Sequence, residues 1–325
     1  MKILQKSPNK DFVILNLSDP QMNDGEWGEG HPYRSVLEYT IKELVARHNP
    51  DLITVTGDMA YPGHYHSYEM LAQLLDSFGV PWTIVWGNHD HQDGIEPILQ
   101  AAALFKKHPL CLFEDGDPAY GNGNYILAVN EGDTPITALF MLDSHNSIEF
   151  TNENGEKKWA YAKLWPEQLA WIGEQAGKLK DNGYKDGLMM LHIPLYAYRV
   201  AAKTVFTDGR CGHVDGYGDL NEPICSHPTE DGVLATIKES GLITHVLAGH
   251  DHCNDFMIPY EGVEMMFACK TGPGCYWMPS INGGTVITIG ETGIKEARHA
   301  FVDVTHLIEG TSIGRFEPDF ERQIL

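Results

Sequence analysis

The chain has 325 residues, of which 42% are hydrophobic and 10% aromatic, and this is enough apolar material for one large domain or at most two. Its 45 acidic and 23 basic residues give a formal net charge of −22. This charge argues against nucleic acid and anionic membranes as partners, because both are bound through Lys and Arg. No run approaches the roughly 18 apolar residues of a membrane-spanning helix. The N-terminal segment has no apolar signal-peptide core, so we expect a cytoplasmic protein.

Strands and helices alternate in the first part of the chain. Apolar, β-branched runs predict buried strands at 12–17, 52–56 and 80–86, and apolar residues at helical spacing predict helices at 35–48 and 68–78. A strand that returns to the sheet after a helix lies parallel to its neighbour. The pattern therefore predicts an α/β fold with parallel strands.

The later part of the chain has a mixed pattern. The predicted elements there are a helix at 95–105, an antiparallel strand pair at 125–129 and 136–142, a helix at 166–179, a strand at 187–191, a helix at 231–239 and a strand at 243–248. Residues 202–230 are rich in Gly, Asp, His and Pro and predict a long surface loop. Residues 256–305 predict a second sheet that packs on the first. We expect a single domain over residues 1–310 and a C-terminal extension over 311–325.

Side chains of the types that bind metals follow several of these strands directly. They are, in chain order, Asp19, Asp58, Asn88, His192, His250 and His252. Open α/β sheets bind ligands beyond the carboxyl ends of their strands. Carboxylate oxygens together with imidazoles suit Zn, Mn, Fe or Ni. Two histidines two residues apart point the same way in an extended segment, so they can serve neighbouring ions that Asp58 bridges.

These motifs resemble those of a known superfamily. Gly57-Asp58, Gly87-Asn88-His89-Asp90, the isolated His192 and Gly249-His250-Asp251-His252 have the order and context of the calcineurin-like metallophosphoesterases. The resemblance spans residues 12 to about 255. It implies a four-layer αββα sandwich, with two mixed β-sheets flanked by helices and a dinuclear metal centre at one edge of the sheets.

The resemblance also implies a role for each motif residue. One metal would be held by Asp19, Asp58 and His252. The other would be held by Asp58 as the bridge, Asn88, His192 and His250. His89 resembles the proton donor to the leaving group, and Asp90 would orient its ring. The implied reaction is hydrolysis of phosphomonoesters or phosphodiesters by a metal-bound hydroxide, with two divalent or mixed-valence ions of Fe, Mn or Zn as cofactors.

The first motif departs from the pattern of the superfamily. Gln21 stands where most members have a histidine, and its neutral amide oxygen is a poorer ligand. Gly57-Asp58-Met59-Ala60-Tyr61 matches the Gly-Asp-x-x-Tyr form of purple acid phosphatases, in which the tyrosine binds a ferric ion. In one interpretation Tyr61 completes the first metal site and favours Fe. In the other, Gln21 or water completes it and Tyr61 lines the pocket.

Substrate specificity is expected from loops around the metals. We predict substrate contacts for His145, Tyr196 and Arg199, because aromatic side chains can sandwich a base or aryl group and an Arg can hold a second phosphate. The expected partner is a small phosphoester. Two alternatives stay open at this point, a cyclic-nucleotide or nucleotide phosphodiesterase and a non-catalytic metal-binding interaction protein with the same fold. The sequence does not predict an oligomeric state.

Overall fold

The computed structural model describes residues 1–207, 209–210, 216–311 and 313. Within these ranges the strands form a seven-stranded sheet, a five-stranded sheet and a two-stranded hairpin. The strands are β1 Lys2–Gln5, β2 Phe12–Leu17, β3 Leu52–Thr56, β4 Trp82–Val85, β5 Tyr125–Glu131, β6 Thr134–Met141, β7 Ser147–Thr151, β8 Lys157–Tyr161, β9 Asp186–Leu191, β10 Ile243–Ala248, β11 Met257–Tyr260, β12 Val263–Phe267, β13 Gly283–Gly290 and β14 Gly293–Phe301. The helices are α1 Pro32–His48, α2 Tyr65–Asp76, α3 Ile95–Phe105, α4 Pro166–Asp181, α5 Tyr196–Val205, α6 Val233–Ser240 and α7 Thr305–Ile308.

Both large sheets are mixed. The five-stranded sheet has the order β14-β13-β2-β3-β4, and the seven-stranded sheet has the order β1-β5-β6-β9-β10-β12-β11. In the first sheet β2, β3 and β4 are parallel neighbours, because α1 and α2 carry the chain back between them. In the second sheet β6, β9, β10 and β12 are parallel neighbours. Parallel neighbours place their carboxyl ends at the same edge, and this edge holds the residues considered below.

The seven-stranded sheet separates two hydrophobic cores. Leu139 and Leu188 belong to a core that they share with the five-stranded sheet and with α1, α2 and α3. Their chain neighbours Phe140 and Met189 belong to the second core, with α4, α5 and α6. Successive side chains of a strand point to opposite faces, so one sheet serves both cores. The resulting layer order, helices, sheet, sheet, helices, confirms the predicted four-layer sandwich.

Residues 256–305 do not form a sheet of their own, so this prediction is wrong. In the structure β11 and β12 extend the seven-stranded sheet, whereas β13 and β14 extend the five-stranded sheet. Strand β12 pairs in parallel with β10, and β13 pairs with β2 from near the start of the chain. The pattern of short β-runs identifies strands but does not identify their partners, because pairing depends on contacts distant in sequence.

Two further segments differ from the sequence-based expectation. The predicted loop 202–230 overlaps helix α5, which runs to Val205 and buries an alanine-rich face in the second core. The hairpin β7–β8 was not predicted at all. The boundary at residue 310 stays a prediction, and residues 312 and 314–325 of the expected C-terminal extension lie outside the described residues. No helix among the residues that the structure describes is long and apolar enough to cross a membrane.

Candidate metal centre

Strand ends from both sheets meet at one edge of the sandwich. The six predicted ligands there are at most 8% exposed, and they are Asp19, Asp58, Asn88, His192, His250 and His252. Ligand atoms of Asp19, Asp58 and His252 lie within 4.8 Å of one another, and those of Asp58, His192 and His250 do so as well. Asp58 belongs to both groups. The structure therefore brings together five of the six ligands that the resemblance implies, with Asp58 common to both groups, and Oδ1 of Asn88 lies 3.0 Å from Nε2 of His192.

Three of these side chains sit on left-handed backbone. The φ angles are 54° at Asp19, 50° at Asp58 and 76° at His250, a region that residues with a Cβ seldom adopt. Each such residue costs about 1–3 kcal/mol and persists only where the surroundings hold it. The same strained backbone conformation follows three different strands. It lowers the free energy of unfolding, and it positions these three side chains in the cluster.

Glycines let the strand-end loops approach each other. Gly57 has a φ of 82°, and a Cβ on it would lie 2.6 Å from Nδ1 of His192. A Cβ on Gly87 would lie 2.1 Å from Oδ1 of Asp58. Real Cβ atoms do not come this close to a neighbour, so both positions require glycine. The glycine that precedes Asp58 and the glycine that precedes Asn88 are thus part of the site geometry.

Backbone carbonyls orient two of the histidine rings. Nδ1 of His192 lies 2.8 Å from the oxygen of Thr56, and its Nε2 lies 3.3 Å from Oδ2 of Asp58. Nδ1 of His252 lies 2.8 Å from the oxygen of Tyr276, and its Nε2 lies 3.4 Å from Oδ1 of Asp19. A ring that donates Nδ1–H to a carbonyl turns Nε2 toward the carboxylates as a ligand atom.

The electrostatics of the cluster favour a cation. Burial opposes ionisation of Asp19, but the charges of His192 and His252 outweigh it and hold the pKa of Asp19 well below its usual range. Burial also lowers the pKa of His192, but Asp58 and Asp19 outweigh it and raise that pKa to about 10. Oδ1 of Asp19 is buried and has no hydrogen-bond partner in the described part of the chain. Ionised carboxylates, imidazoles and an unpaired buried oxygen fit a metal ion.

Asp90 has a different task from the one expected. Its carboxylate accepts hydrogen bonds from the N–H groups of Gly87 at 2.8 Å and Asp58 at 2.9 Å, and so ties the loops after β3 and β4 together. The ring of His89 is instead held through Nδ1, which lies 3.0 Å from Oε1 of Gln92. Sequence reasoning missed Gln92, whose only signal is its position three residues after His89 in the same turn.

Gln21 and Tyr61 both interact with the shared carboxylate of Asp58, Gln21 by a hydrogen bond and Tyr61 electrostatically. Nε2 of Gln21 donates a hydrogen bond to Oδ2 of Asp58 at 3.1 Å. The ring of Tyr61 packs edge-on against His89, with 5.2 Å between ring centroids. Burial raises the pKa of Tyr61, and the neighbouring Cys275 and Asp58 raise it further, so its phenolate needs a cation to form. Which of the two completes the first site stays a prediction.

The predicted substrate residues are engaged in contacts with the protein itself. His145 is 9% exposed, and its ring stacks on Trp165 with 4.1 Å between ring centroids. Arg199 donates a hydrogen bond from Nη1 to the carbonyl oxygen of Ile224 at 2.5 Å. Tyr196 begins helix α5 and lies in a helix instead of a loop. Their roles in substrate binding stay predictions.

Hairpin β7–β8 contributes residues that the sequence analysis did not single out. Trp159 and Tyr161 line a cavity of about 470 Å³, and Asn88 and His89 line the same cavity. Within β8 the aromatic residues Trp159 and Tyr161 stand two positions apart, which is the period-two spacing of a strand. That signal is weak because both strands are short and largely exposed.

A four-layer sandwich with carboxylates and imidazoles gathered at the carboxyl ends of its strands is a fold of metal-dependent hydrolases. The calcineurin-like phosphoesterase family matches residues 12–254, and the chain belongs to this family. The family match confirms the resemblance seen in the sequence motifs, and it implies divalent metal ions as cofactors.

The chain is also similar to plant and yeast proteins. The chain is 26% identical over 294 residues to probable inactive purple acid phosphatase 14 of Arabidopsis thaliana, with 80% of this chain and 70% of that protein covered. It is 27% identical over 335 residues to phosphatase DCR2 of Saccharomyces cerevisiae, with 90% of this chain covered. The match spans 53% of the yeast protein.

Among solved structures, a dimetal phosphatase from Danio rerio has the same fold. Its TM-score is 0.54 at 15% identity, with 89% of this chain and 98% of that chain covered. At this identity the likeness supports the fold alone. It agrees with the two mixed sheets and flanking helices described above.

Proposed function

We propose that the protein is a dinuclear-metal-dependent phosphoesterase that hydrolyses small phosphomonoesters or phosphodiesters. The observation that carries this proposal is the position of Asp58 in two buried ligand groups at once, one with Asp19 and His252 and the other with His192 and His250. A shared carboxylate suits two cations about 3.5–4 Å apart. Membership in the calcineurin-like phosphoesterase family supports the same reaction class.

Two cations held there would neutralise charge on the phosphate oxygens and lower the pKa of the attacking water. Asn88 adds a neutral oxygen ligand to the second group, since its Oδ1 lies 3.0 Å from Nε2 of His192. The first group needs one more ligand. Tyr61 as that ligand favours iron, whereas Gln21 or water leaves the choice among Fe, Mn and Zn open.

His89 is the proposed proton donor to the leaving group. Its backbone N–H donates a hydrogen bond to Oδ1 of Asp58 at 2.8 Å, and Gln92 holds its Nδ1 from the other side. The ring is therefore fixed next to the proposed bridging carboxylate, with Nε2 left over for the substrate. A protonated Nε2 can give its proton to the ester oxygen as that oxygen leaves phosphorus.

The test is hydrolysis by the protein loaded in turn with Fe, Mn and Zn, over a panel that includes phosphomonoesters, linear diesters and cyclic nucleotides. We expect turnover with at least one metal, and a loss of about 10²- to 10⁴-fold in kcat for His89→Asn with unchanged metal content. His306→Asn is the matched control, because His306 is exposed in helix α7. In the iron-loaded protein, a visible absorption band that disappears in Tyr61→Phe identifies Tyr61 as a ligand.

The second candidate is a non-catalytic metal-binding protein. A relative is named as a probable inactive phosphatase, and Gln21 stands where most of the superfamily has a histidine. This candidate predicts metal binding without turnover of any substrate in the panel. Absence of turnover with every metal, at full metal occupancy, would contradict the phosphoesterase proposal and support this one.

A further inference from the structure

The cavity of about 470 Å³ opens directly beside the proposed proton donor. Asn88, His89 and Gln92 line it together with Trp159 and Tyr161 of hairpin β7–β8. A proton donor contacts the oxygen that departs from phosphorus. The part of the substrate that occupies this cavity is therefore the leaving group, and the hairpin is the element that contacts it.

The two aromatic residues project from one face of strand β8. They are two residues apart, and residues i and i+2 of a strand share a face. Tyr161 packs edge-on against His250 with 4.4 Å between ring centroids, so this face looks toward the proposed metal ligands. Trp159 lies about 7 Å farther along the strand. A ring joined to the phosphate through the ester oxygen would lie between the metal centre and this indole.

Trp159 is exposed to an unusual degree. Its exposed fraction is 73%, the largest of any large apolar side chain in the part of the chain that the structure describes. Its cross-strand neighbour Glu149 is paired with Lys157 at 2.6 Å, so the charge next to the indole is balanced. An open indole face in a cavity binds a second ring by stacking, which adds to the free energy gained from apolar burial.

The cavity lining argues for an uncharged ring. Among the described residues that line it there is no Lys, Arg, Asp or Glu, and the polar groups next to His89 include the amides of Gln92 and Asn146. A second phosphate would need cationic side chains. The net charge of −22 makes a polyanionic leaving group still less suitable.

We propose that Trp159 and Tyr161 form an aromatic subsite that selects phosphoesters whose leaving group carries an uncharged aromatic ring. This inference rests on the proposed function, because the cavity is assigned to the leaving group through the role of His89. It assigns the hairpin to substrate recognition and leaves the reaction itself to the strand-end cluster.

The kinetic test compares phenyl phosphate with an alkyl phosphate of the same charge on the metal-loaded protein. For Trp159→Ala we expect kcat/KM for phenyl phosphate to fall about tenfold or more, chiefly through KM, since one stacked ring is worth that factor. The value for the alkyl phosphate should change less than twofold. Trp159→Phe should recover most of the loss. Ile148 lies on the opposite face of the same hairpin and is 41% exposed, so Ile148→Ala should leave kcat/KM unchanged for both substrates.

A binding test separates this inference from the proposed function. Calorimetry should show that the metal-loaded protein binds phenylphosphonate more tightly than methylphosphonate, and that Trp159→Ala removes the difference. That result without turnover of any ester would support the subsite and contradict the phosphoesterase proposal. If the protein hydrolyses both esters and Trp159→Ala lowers kcat/KM equally for the two, the subsite proposal is overturned and the phosphoesterase proposal stands. A change in oligomeric state with no effect on either ligand would also overturn it and make Trp159 a protein-contact residue.

Discussion

The strand-end cluster and hairpin β7–β8 face the same cavity but are built in opposite ways. The cluster is buried, and its residues come from strands of both sheets, three of them on strained left-handed backbone. The hairpin pairs only within itself, and most of its residues are exposed. A side chain in the cluster cannot change without moving its neighbours, whereas most hairpin side chains are exposed and can change without disturbing a core. The proposed chemistry and the proposed specificity thus lie in regions with very different tolerance to substitution.

The largest effect is expected for Asp58→Asn in the cluster. The change removes the charge shared by both ligand groups and turns an amide toward Gln21, which already donates to this position. Metal charge stabilisation is worth several kcal/mol, so we expect kcat/KM to fall by about 10³-fold or more. Metal analysis should show loss of at least one ion, and added metal should raise the melting temperature of the native protein but not that of the variant.

Asp186→Asn is the control for this prediction. Asp186 is also a buried carboxylate, but it lies at the start of strand β9, whereas His192 directly follows the end of the same strand. Asp186→Asn should still bind two ions, should still melt at a higher temperature when metal is added, and should keep its activity. Full metal content and activity in Asp58→Asn would exclude a bridging role for Asp58 and remove the reason to contrast the cluster with the hairpin.

The next effect is steric and concerns Gly87→Ala. The added Cβ would lie 2.1 Å from Oδ1 and 2.4 Å from the backbone N of Asp58, and that backbone is held by Asp90. Overpacking of this kind costs about 3 kcal/mol of unfolding free energy. We expect this loss in urea denaturation, together with weaker metal binding.

Gly177→Ala is the matched control, since Gly177 lies within helix α4 with nothing near its ideal Cβ position. It should raise the unfolding free energy by about 0.5–1 kcal/mol. Equal effects of the two substitutions would show that the strand-end loops are not tightly packed and that the cluster is as tolerant as the rest of the surface.

Much of the cluster could be predicted from the sequence because its determinants are local. Each ligand follows a buried strand, and each strand is identified by a short apolar run. Parallel pairing then aligns the strand ends within each sheet, and the packing of one sheet on the other brings the two sets of ends together. The glycines before Asp58 and Asn88 also belong to this local signal, although only the structure shows how closely their loops approach.

The remaining features depend on contacts distant in sequence. Strand β13 pairs with β2, and nothing in the sequence of residues 283–290 indicates which strand it pairs with. The family resemblance implied that Asp90 orients the ring of His89, but in the structure its carboxylate accepts hydrogen bonds from backbone amides. Hairpin β7–β8 has little apolar patterning because it has no core to face. Apolar sequence patterns predict which segments are buried. They do not predict exposed elements such as this hairpin, or the direction in which a polar side chain points.

The smallest effect is expected at the hairpin itself. Lys157 and Glu149 form an exposed ion pair at 2.6 Å, with side chains 73% and 45% exposed, and such pairs contribute about 0.5 kcal/mol or less. Lys157→Gln should therefore barely change the urea midpoint. Lys6 offers the contrast, because its side chain is 1% exposed and pairs with Glu131 at 2.5 Å, so Lys6→Gln should cost about 1–3 kcal/mol. If Lys157→Gln were as costly as Lys6→Gln, the hairpin would be a packed part of the fold, and its assignment as a variable specificity element would fail.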